Sequence, residues 1–238
     1  MKTAILADIH SNWEALQAVS DYLDKQRIKT VVHLGDAVGY GANPNECFEW
    51  VQQHAQISIL GNHENALFDE DLRLMFSLPA KEAIEWTQKQ INPAHLSAIK
   101  KLPYTFERAK ISGTHGSFDD PPSFSYLTNF ADAQPSIEVL RTFLGFFAHT
   151  HVPSMFNSAS SQMDLLFPGS YKVSPHQKTL INPGSVGQPR DGDKRASFGI
   201  WDDETSTFEL IRLDYDRQTA SQKILEAGLP ASLGKRLL

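Results

Sequence analysis

Two histidines, His149 and His151, stand one residue apart in the segment FFAHTHVP, directly after an aromatic run that is typical of a buried strand. Imidazole nitrogens bind transition metals and transfer protons near neutral pH. A lone His-x-His pair, however, is more often a loop that tolerates two histidines. The metal interpretation therefore depends on whether the rest of the chain supplies partners.

Four more segments carry side chains of the same kind, each just past a predicted strand. They are Asp8 and His10 in ADIHSN, Asp36 in HLGDAVGYG, Asn62 and His63 in LGNHE, and His115 in SGTHGS. Open α/β sheets form their ligand sites at the carboxyl ends of strands. Residues i and i+2 of an extended segment point to one side, so each closely spaced pair is expected to converge on one point.

The residue types indicate the class of metal. Asp, Asn and His without a nearby cysteine suit Mn²⁺, Fe or Zn²⁺ better than a soft thiolate site does. The chain offers more of these ligands than one ion takes, and a two-metal site accounts for them most simply. Glycines before Asp36 and Asn62, and after His115, permit tight turns beside the ligands.

Hydrophobic periodicity predicts the elements that position these segments. Residues 3–7, 30–34 and 57–60 are predicted strands, and residues 12–26 and 44–55 are predicted helices between them. This βαβαβ order predicts parallel pairing with right-handed crossovers.

The middle of the chain changes character. Residues 65–102 have a helical pattern and are predicted to form an inserted cap. Residues 104–115 are predicted to form a β-hairpin that turns in ERAK. The proline-rich residues 117–135 are predicted to be a loop over the site.

The last third is predicted to be rich in strands from residue 143 onward, in TFLGFFA, VPSMF, DLLF, TLIN, ASFGIWD and TSTFELIRLDY. A helix near residues 216–227 is followed by a tail that we expect to be short and polar. We therefore predict one domain over residues 1–238, α/β in its first part and β-rich afterwards.

Composition narrows the classes of function. With 238 residues, 41% hydrophobic and 21% charged, the chain is typical of a globular protein, and its net charge of −6 argues against a general surface for long nucleic acids. No run reaches the roughly 18 apolar residues that a membrane span needs. The single cysteine, Cys47, allows no internal disulfide, and we predict a cytoplasmic protein without membrane partners.

The motifs ADIHSN, HLGD, LGNHE, GTHGS and AHTH occur in the order found in the calcineurin-like metallophosphoesterases, and the chain resembles this family from residue 3 to roughly residue 202. The resemblance implies a four-layer αββα sandwich, in which two mixed β-sheets are flanked by helices. It also implies a two-metal site at the ends of the sheets.

The resemblance also implies a role for each site residue. One ion would be held by Asp8, His10 and His151. The other would be held by Asn62, His115 and His149. Asp36 would bridge the two ions, while His63 would act on the phosphate instead of binding metal. Two divalent ions are thus the expected cofactors, and Mn²⁺ is favoured over Fe and Zn²⁺.

Two positions depart from the usual pattern of the family. Ala148 stands where glycine is usual, and because alanine accepts extended geometry we expect only a small shift there. Glu64 stands where aspartate is commoner, and we expect it still to orient His63.

Several residues are candidates for contact with substrate. Tyr40 and Asn43 are expected to line the pocket, and Asn62 is expected to contact the substrate. Arg190 in NPGSVGQPRDGD is expected either to bind a phosphate or to form a surface salt bridge. Phe118, Phe124 and Tyr126 would stack on a base or pack the cap, while His33 is expected to be a core or supporting histidine.

The family resemblance leads to a functional expectation. A hydroxide bridging the two ions would attack phosphorus in line, with His63 assisting the leaving oxygen. The segments GYGANPNE and NPGSVGQPRDGD resemble a prokaryotic branch of phosphodiesterases, so we expect hydrolysis of a phosphodiester or nucleotide phosphoanhydride in a small phosphorylated substrate. A phosphomonoesterase is the alternative, and a non-catalytic protein-interaction scaffold is a third.

Overall fold

The computed structural model describes residues 1–160 and 162–238. Its helices are α1 Trp13–Gln26, α2 Pro44–His54, α3 Asn62–Asn65, α4 Glu70–Leu74, α5 Leu78–Gln90, α6 Pro93–Ile99, α7 Phe130–Val139, α8 Arg217–Glu226 and α9 Ala231–Leu237. Its strands are β1 Lys2–Leu6, β2 Thr30–His33, β3 Ile57–Ser58, β4 Thr105–Arg108, β5 Ile111–Thr114, β6 Leu144–Phe146, β7 Ser154–Asn157, β8 Met163–Leu165, β9 Gly169–Lys172, β10 Thr179–Asn182, β11 Ala196–Asp202 and β12 Thr207–Leu213.

Within these described residues the strands form two mixed sheets of six strands each. The first has the order β3-β2-β1-β11-β12-β9, and the second has the order β4-β5-β6-β10-β7-β8. Strands β1, β2 and β3 pair in parallel, as the βαβαβ pattern predicts. Strands β5, β6 and β10 are parallel in the second sheet, and antiparallel strands complete both edges.

Strand β1 shows why the sheets stack face to face. Ala4 and Leu6 pack with the helices α1 and α2, whereas Ile5 packs with Phe146 and Ile181 of the second sheet. Both faces of the strand are therefore buried, which explains its nearly continuous apolar sequence. Helix α7 covers the outer face of the second sheet, so the expected αββα layering is confirmed.

Residues 65–102 are helical, as predicted, and contain α4, α5 and α6. Helices α5 and α6 pack against α2. Within the described residues no helix combines the length and the apolar character that a membrane crossing requires.

The structure differs from the predicted elements at α7, at β9 and in the tail. The predicted loop 117–135 ends in α7, which starts at Phe130 even though it contains Pro135. Asn129 caps this helix by accepting a hydrogen bond from Asp132 N at 3.1 Å, and its apolar face packs on the second sheet. Strand β9 was not predicted, and its backbone is fixed by pairing with β12.

The tail is not simply polar, because it ends in α9. Leu233 and Leu237 lie one turn apart and pack on Ala220 and Ile224 of α8. Their spacing is helical, but a seven-residue helix is too short to form without such packing.

Candidate metal centre

Every predicted ligand lies just past the carboxyl end of a strand, and the ligands come from both sheets. Asp8 and His10 follow β1, Asp36 follows β2, Asn62 and His63 follow β3, His115 follows β5, and His149 and His151 follow β6. A bond between the sheets helps to join these ends, because the backbone N–H of His149 donates to Asp8 Oδ2 at 3.3 Å. All eight of these residues are buried.

Seven of these residues form three overlapping groups whose possible ligand atoms lie within 4.8 Å of one another. The groups are Asp8 with His10 and His151, His10 with Asp36 and His63, and Asp36 with His115 and His149. The eighth, Asn62, joins the last group through its Oδ1 atom, 3.0 Å from His115 Nε2. Asp36 thus lies between two sets of imidazoles.

Three imidazoles are oriented by backbone carbonyls. The Nδ1–H groups of His10, His115 and His151 donate to the carbonyl oxygens of Val38, Leu34 and Gln188, at 3.1, 2.7 and 2.7 Å. Each bond orients the ring so that Nε2 faces the centre and is the atom available to a metal ion.

Several inward-facing atoms lack hydrogen-bond partners in the described part of the protein. His10 Nε2 lies 3.1 Å from His151 Nε2, and His151 Nε2 lies 3.4 Å from Asp8 Oδ1. Asp8 Oδ1 and Asp36 Oδ2 are buried without a hydrogen-bond partner among the described residues. Buried lone pairs and carboxylate oxygens repel one another at this separation unless a cation lies between them. The donor set therefore fits divalent metal ions.

The ionisation of the site residues agrees with this interpretation. Burial raises the pKa of Asp8 to about 7. Burial also lowers the pKa of His10, His149 and His151 well below the usual value, so these imidazoles are neutral and free to coordinate.

Asp36 and His115 behave as a coupled pair. Burial disfavours the Asp36 carboxylate, but the attraction of His115 outweighs it and holds the pKa of Asp36 well below its usual range. Burial likewise disfavours the His115 cation, yet Asp36 and then Asp8 raise the pKa of His115 to about 9. The carboxylates thus attract positive charge strongly, and a metal ion at this point would replace the proton.

The convergence of the ligands does not come from extended backbone, and that expectation was wrong. Asp8, His10, Asp36, His149 and His151 have φ angles of 53°, 50°, 60°, 69° and 60°. Non-glycine residues in this left-handed region cost roughly 1–3 kcal/mol each and cluster at functional sites. Ala148 does not share this conformation, so its Cβ causes no strain of this kind, in agreement with the small effect that we expected.

The expected role of Glu64 is also corrected. Its buried carboxylate accepts hydrogen bonds from the backbone N–H groups of Asp36, Gly61 and Val38, at 2.7, 3.1 and 3.1 Å. The His63 ring receives no such bond, since its Nδ1 has no partner among the described residues. Glu64 therefore holds the loop that carries Asp36.

Aromatic neighbours hold His63 in place. Its ring centroid lies 4.4 Å from that of Tyr40, 4.6 Å from that of His10 and 5.0 Å from that of Phe76. Burial lowers the pKa of His63 to about 4, so the imidazole is neutral at pH 7. A neutral ring can still donate one N–H to a phosphoryl oxygen.

A cleft of about 950 Å³ opens above the centre. Five residues of the candidate metal centre form part of its lining, namely Asp36, Asn62, His63, His149 and His151. Leu72, Met75 and Phe76, in and just after α4, contribute an apolar wall, and Phe124 and Tyr126 contribute another. The tyrosine ring stacks on His149 with centroids 3.9 Å apart.

Both predicted substrate contacts outside the metal ligands, Tyr40 and Arg190, line the cleft. Arg190 donates to Tyr40 Oη at 3.3 Å and to Gln188 Oε1 at 3.2 Å. Among the described residues no carboxylate lies within salt-bridge distance of it, so the alternative of a surface salt bridge is not observed.

Other candidates lie outside the cleft. Phe118 packs with α7, Asn43 precedes α2 at its N-cap, and His33 is a core residue whose Nδ1 lies 3.0 Å from Ser58 Oγ. Sequence reasoning missed Lys194 and Arg236, which line the cleft. No motif marks Arg236, because it lies in the tail whose helix was not predicted.

Comparison with known proteins supports the interpretation of this site as a metal centre. The model of the calcineurin-like phosphoesterase superfamily domain matches residues 1–206. An uncharacterized protein of Methanocaldococcus jannaschii is 37% identical over 238 residues, covering 98% of this chain and 96% of that protein.

Two solved structures share the fold. A metallophosphoesterase from Sphaerobacter thermophilus has a TM-score of 0.90 at 35% identity, covering 100% of this chain and 98% of that one. A hypothetical protein from Pyrococcus horikoshii has a TM-score of 0.79 at 20% identity, covering 99% and 97%, and shows the common fold alone. Since the family model spans most of the chain, including all the converging ligands, this protein belongs to the calcineurin-like phosphoesterase superfamily.

Proposed function

We propose that this protein is a two-metal phosphoesterase that hydrolyses phosphodiester or nucleotide phosphoanhydride bonds. The observation that carries the proposal is the convergence of three oriented Nε2 atoms on two buried carboxylate oxygens without hydrogen-bond partners. Membership of the superfamily supports a hydrolase acting on phosphoester bonds.

The ligands divide into two sets around Asp36. Asp8, His10 and His151 would hold one divalent ion, and Asn62, His115 and His149 would hold the other, with Mn²⁺ favoured. When bound, such ions lower the pKa of water and neutralise the charge that develops on a phosphoryl group. The amide of Asn62 in place of a third carboxylate keeps the site positive and therefore attractive to an anion.

Residues of the cleft would position and assist the substrate. His63 would donate its N–H to a phosphoryl or leaving-group oxygen, which the rings around it support by fixing its orientation. Arg190 would bind a non-bridging oxygen, and Tyr40 would hold the guanidinium through its hydroxyl. Asn62, at the floor of the cleft, would contact the same phosphate.

The shape and charge of the molecule support a small substrate. A cleft of about 950 Å³ admits a nucleotide-sized molecule, and its apolar walls suit an uncharged part of the substrate. The net charge of −6 disfavours long nucleic acids. The cytoplasm remains our expectation for its location, and we expect no membrane partner.

The test is a pair of assays on the Mn²⁺-loaded protein, with bis-p-nitrophenyl phosphate and p-nitrophenyl phosphate as substrates. Faster hydrolysis of the diester supports the proposal. Faster hydrolysis of the monoester would favour a phosphomonoesterase. Two bound metals without turnover of either compound, or of a dinucleoside polyphosphate, would contradict the proposal and favour a non-catalytic scaffold.

A further inference from the structure

Among the described residues, three cationic side chains line the cleft, and they lie next to one another. Arg190 and Arg236 both donate to Gln188 Oε1, at 3.2 and 3.0 Å, while Lys194 Nζ donates to the backbone carbonyl of Arg236 at 2.9 Å. Arg236 belongs to α9, so the C-terminal helix supplies part of the cleft wall.

These cations have no carboxylate partners among the described residues, although the loop that carries two of them is also acidic. Asp191 is paired with Arg212, and Asp193 is paired with Arg195 at 2.6 Å. Both acidic side chains of the loop are thus paired with other arginines. The cleft keeps three cations in a protein with a net charge of −6.

The cluster is connected directly to the metal centre through Gln188. The backbone carbonyl of Gln188 orients the ligand His151, and its side chain holds Arg190 and Arg236. The backbone N–H of Arg190 donates to the carbonyl of His151 at 3.2 Å. An anion bound by the cluster would therefore lie close to a phosphoryl group at the metals.

We infer that Lys194 and Arg236, together with Arg190, form a subsite for a second phosphate that is linked directly to the phosphate under attack. This rests on the proposed function for the position of the first phosphate. A single-phosphate diester needs one such cation at most, whereas a polyphosphate chain carries negative charge along its length and uses all three. The subsite thus favours nucleotide phosphoanhydrides over simple diesters.

The test measures binding by calorimetry, with orthophosphate and tripolyphosphate as probes and the free Mn²⁺ concentration held constant. Chelation then contributes equally to every protein compared. Tripolyphosphate has further phosphates for the cluster when one of its phosphates lies at the metals, whereas orthophosphate has a single phosphate. We expect the wild-type protein to bind tripolyphosphate at least tenfold more tightly.

The decisive variant is Arg236→Gln, and its matched control is Lys235→Gln. Both residues are exposed in the last turn of α9, but Lys235 does not line the cleft. We expect the preference for tripolyphosphate to fall about tenfold in Arg236→Gln and to change less than twofold in the control. Arg236→Lys, which keeps the charge, should retain part of the preference.

Equal losses in the two glutamine variants would overturn the subsite, because they would show a general effect of charge. A wild-type protein without preference for tripolyphosphate would overturn it as well. A melting curve by circular dichroism that matches the wild type serves as the control for folding of each variant. Hydrolysis of bis-p-nitrophenyl phosphate tests the proposed function separately, so a failure of one proposal can be told from a failure of the other.

Discussion

At the residue scale, the centre depends on backbone groups as much as on side chains. His10, His115 and His151 are each held by a carbonyl oxygen at Nδ1, so their Nε2 atoms are aimed at the centre before any ion binds. A ligand that is oriented in advance loses less conformational freedom on binding. Of these three residues, His10 and His151 adopt the left-handed backbone conformation, which is strained for a non-glycine residue.

His63 differs from these histidines because no carbonyl holds its Nδ1. In the proposed function this ring donates its N–H to the phosphate. We therefore expect His63→Ala to lower turnover by about 10²–10⁴-fold, the usual contribution of a general acid or a hydrogen-bond donor. Metal analysis should still find two ions per chain. His176→Ala, which changes an exposed histidine outside the cleft, serves as the control and should keep full activity. Unchanged turnover in His63→Ala would remove it from the mechanism.

At the scale of elements, the loops after the strands are packed too closely to tolerate an added methyl group. Glu64, in the first turn of α3, holds the loop after β2 by accepting hydrogen bonds from the backbone N–H groups of Asp36 and Val38. Gly39 in the same loop has a φ of 88°, and a Cβ there would overlap His63 Nδ1. The loop thus sets the position of the imidazole.

Gly39→Ala should therefore impair catalysis more than stability. The left-handed backbone costs alanine about 1 kcal/mol, and the displaced His63 lowers turnover by roughly tenfold or more. Gly228→Ala provides the matched control, because its φ of 71° is also left-handed but nothing lies within 4 Å of the added Cβ. Urea unfolding and kinetic assays separate the two effects. Equal activity in both variants would show that the contact with His63 is unimportant.

At the scale of the whole molecule, the site exists only because the two sheets stack so that the carboxyl ends of β1, β2 and β3 lie beside those of β5 and β6. Asp8 and Asp36 come from the first sheet, and His115, His149 and His151 come from the second. Ions bound between them would join the two halves of the sandwich. Metal binding and folding should therefore be coupled.

Removal of metal should lower the melting temperature. A single site filled at 100 times its dissociation constant stabilises the fold by about 2.7 kcal/mol. For a chain of this length each kcal/mol corresponds to roughly 2–4 °C, so EDTA should lower the melting temperature by roughly 5–10 °C. Added Mn²⁺ should restore it, and His151→Ala should reduce the shift. Identical melting curves with and without metal would contradict the assignment.

The sequence was sufficient for the general fold and for the convergence of the candidate ligands. Asp8, His10, Asp36, Asn62, His115, His149 and His151 could be predicted to lie together because each follows a strand with clear periodicity, and strand ends in such sheets lie along one edge. The αββα layers followed from the resemblance that those motifs carry. These features depend on the local pattern of hydrophobic and polar residues, which can be recognised from the sequence.

Only the tertiary structure decided the rest. Contacts between residues far apart in sequence fix three features. They are the left-handed backbone of the candidate ligands, the hydrogen bonds of Glu64 to the loop after β2, and the helix α9. Arg236 reaches the cleft because Leu233 and Leu237 dock on α8, which makes a helix of a tail that is too short to be helical alone. Periodicity reports which face of an element is buried, and it cannot report which distant partner buries it.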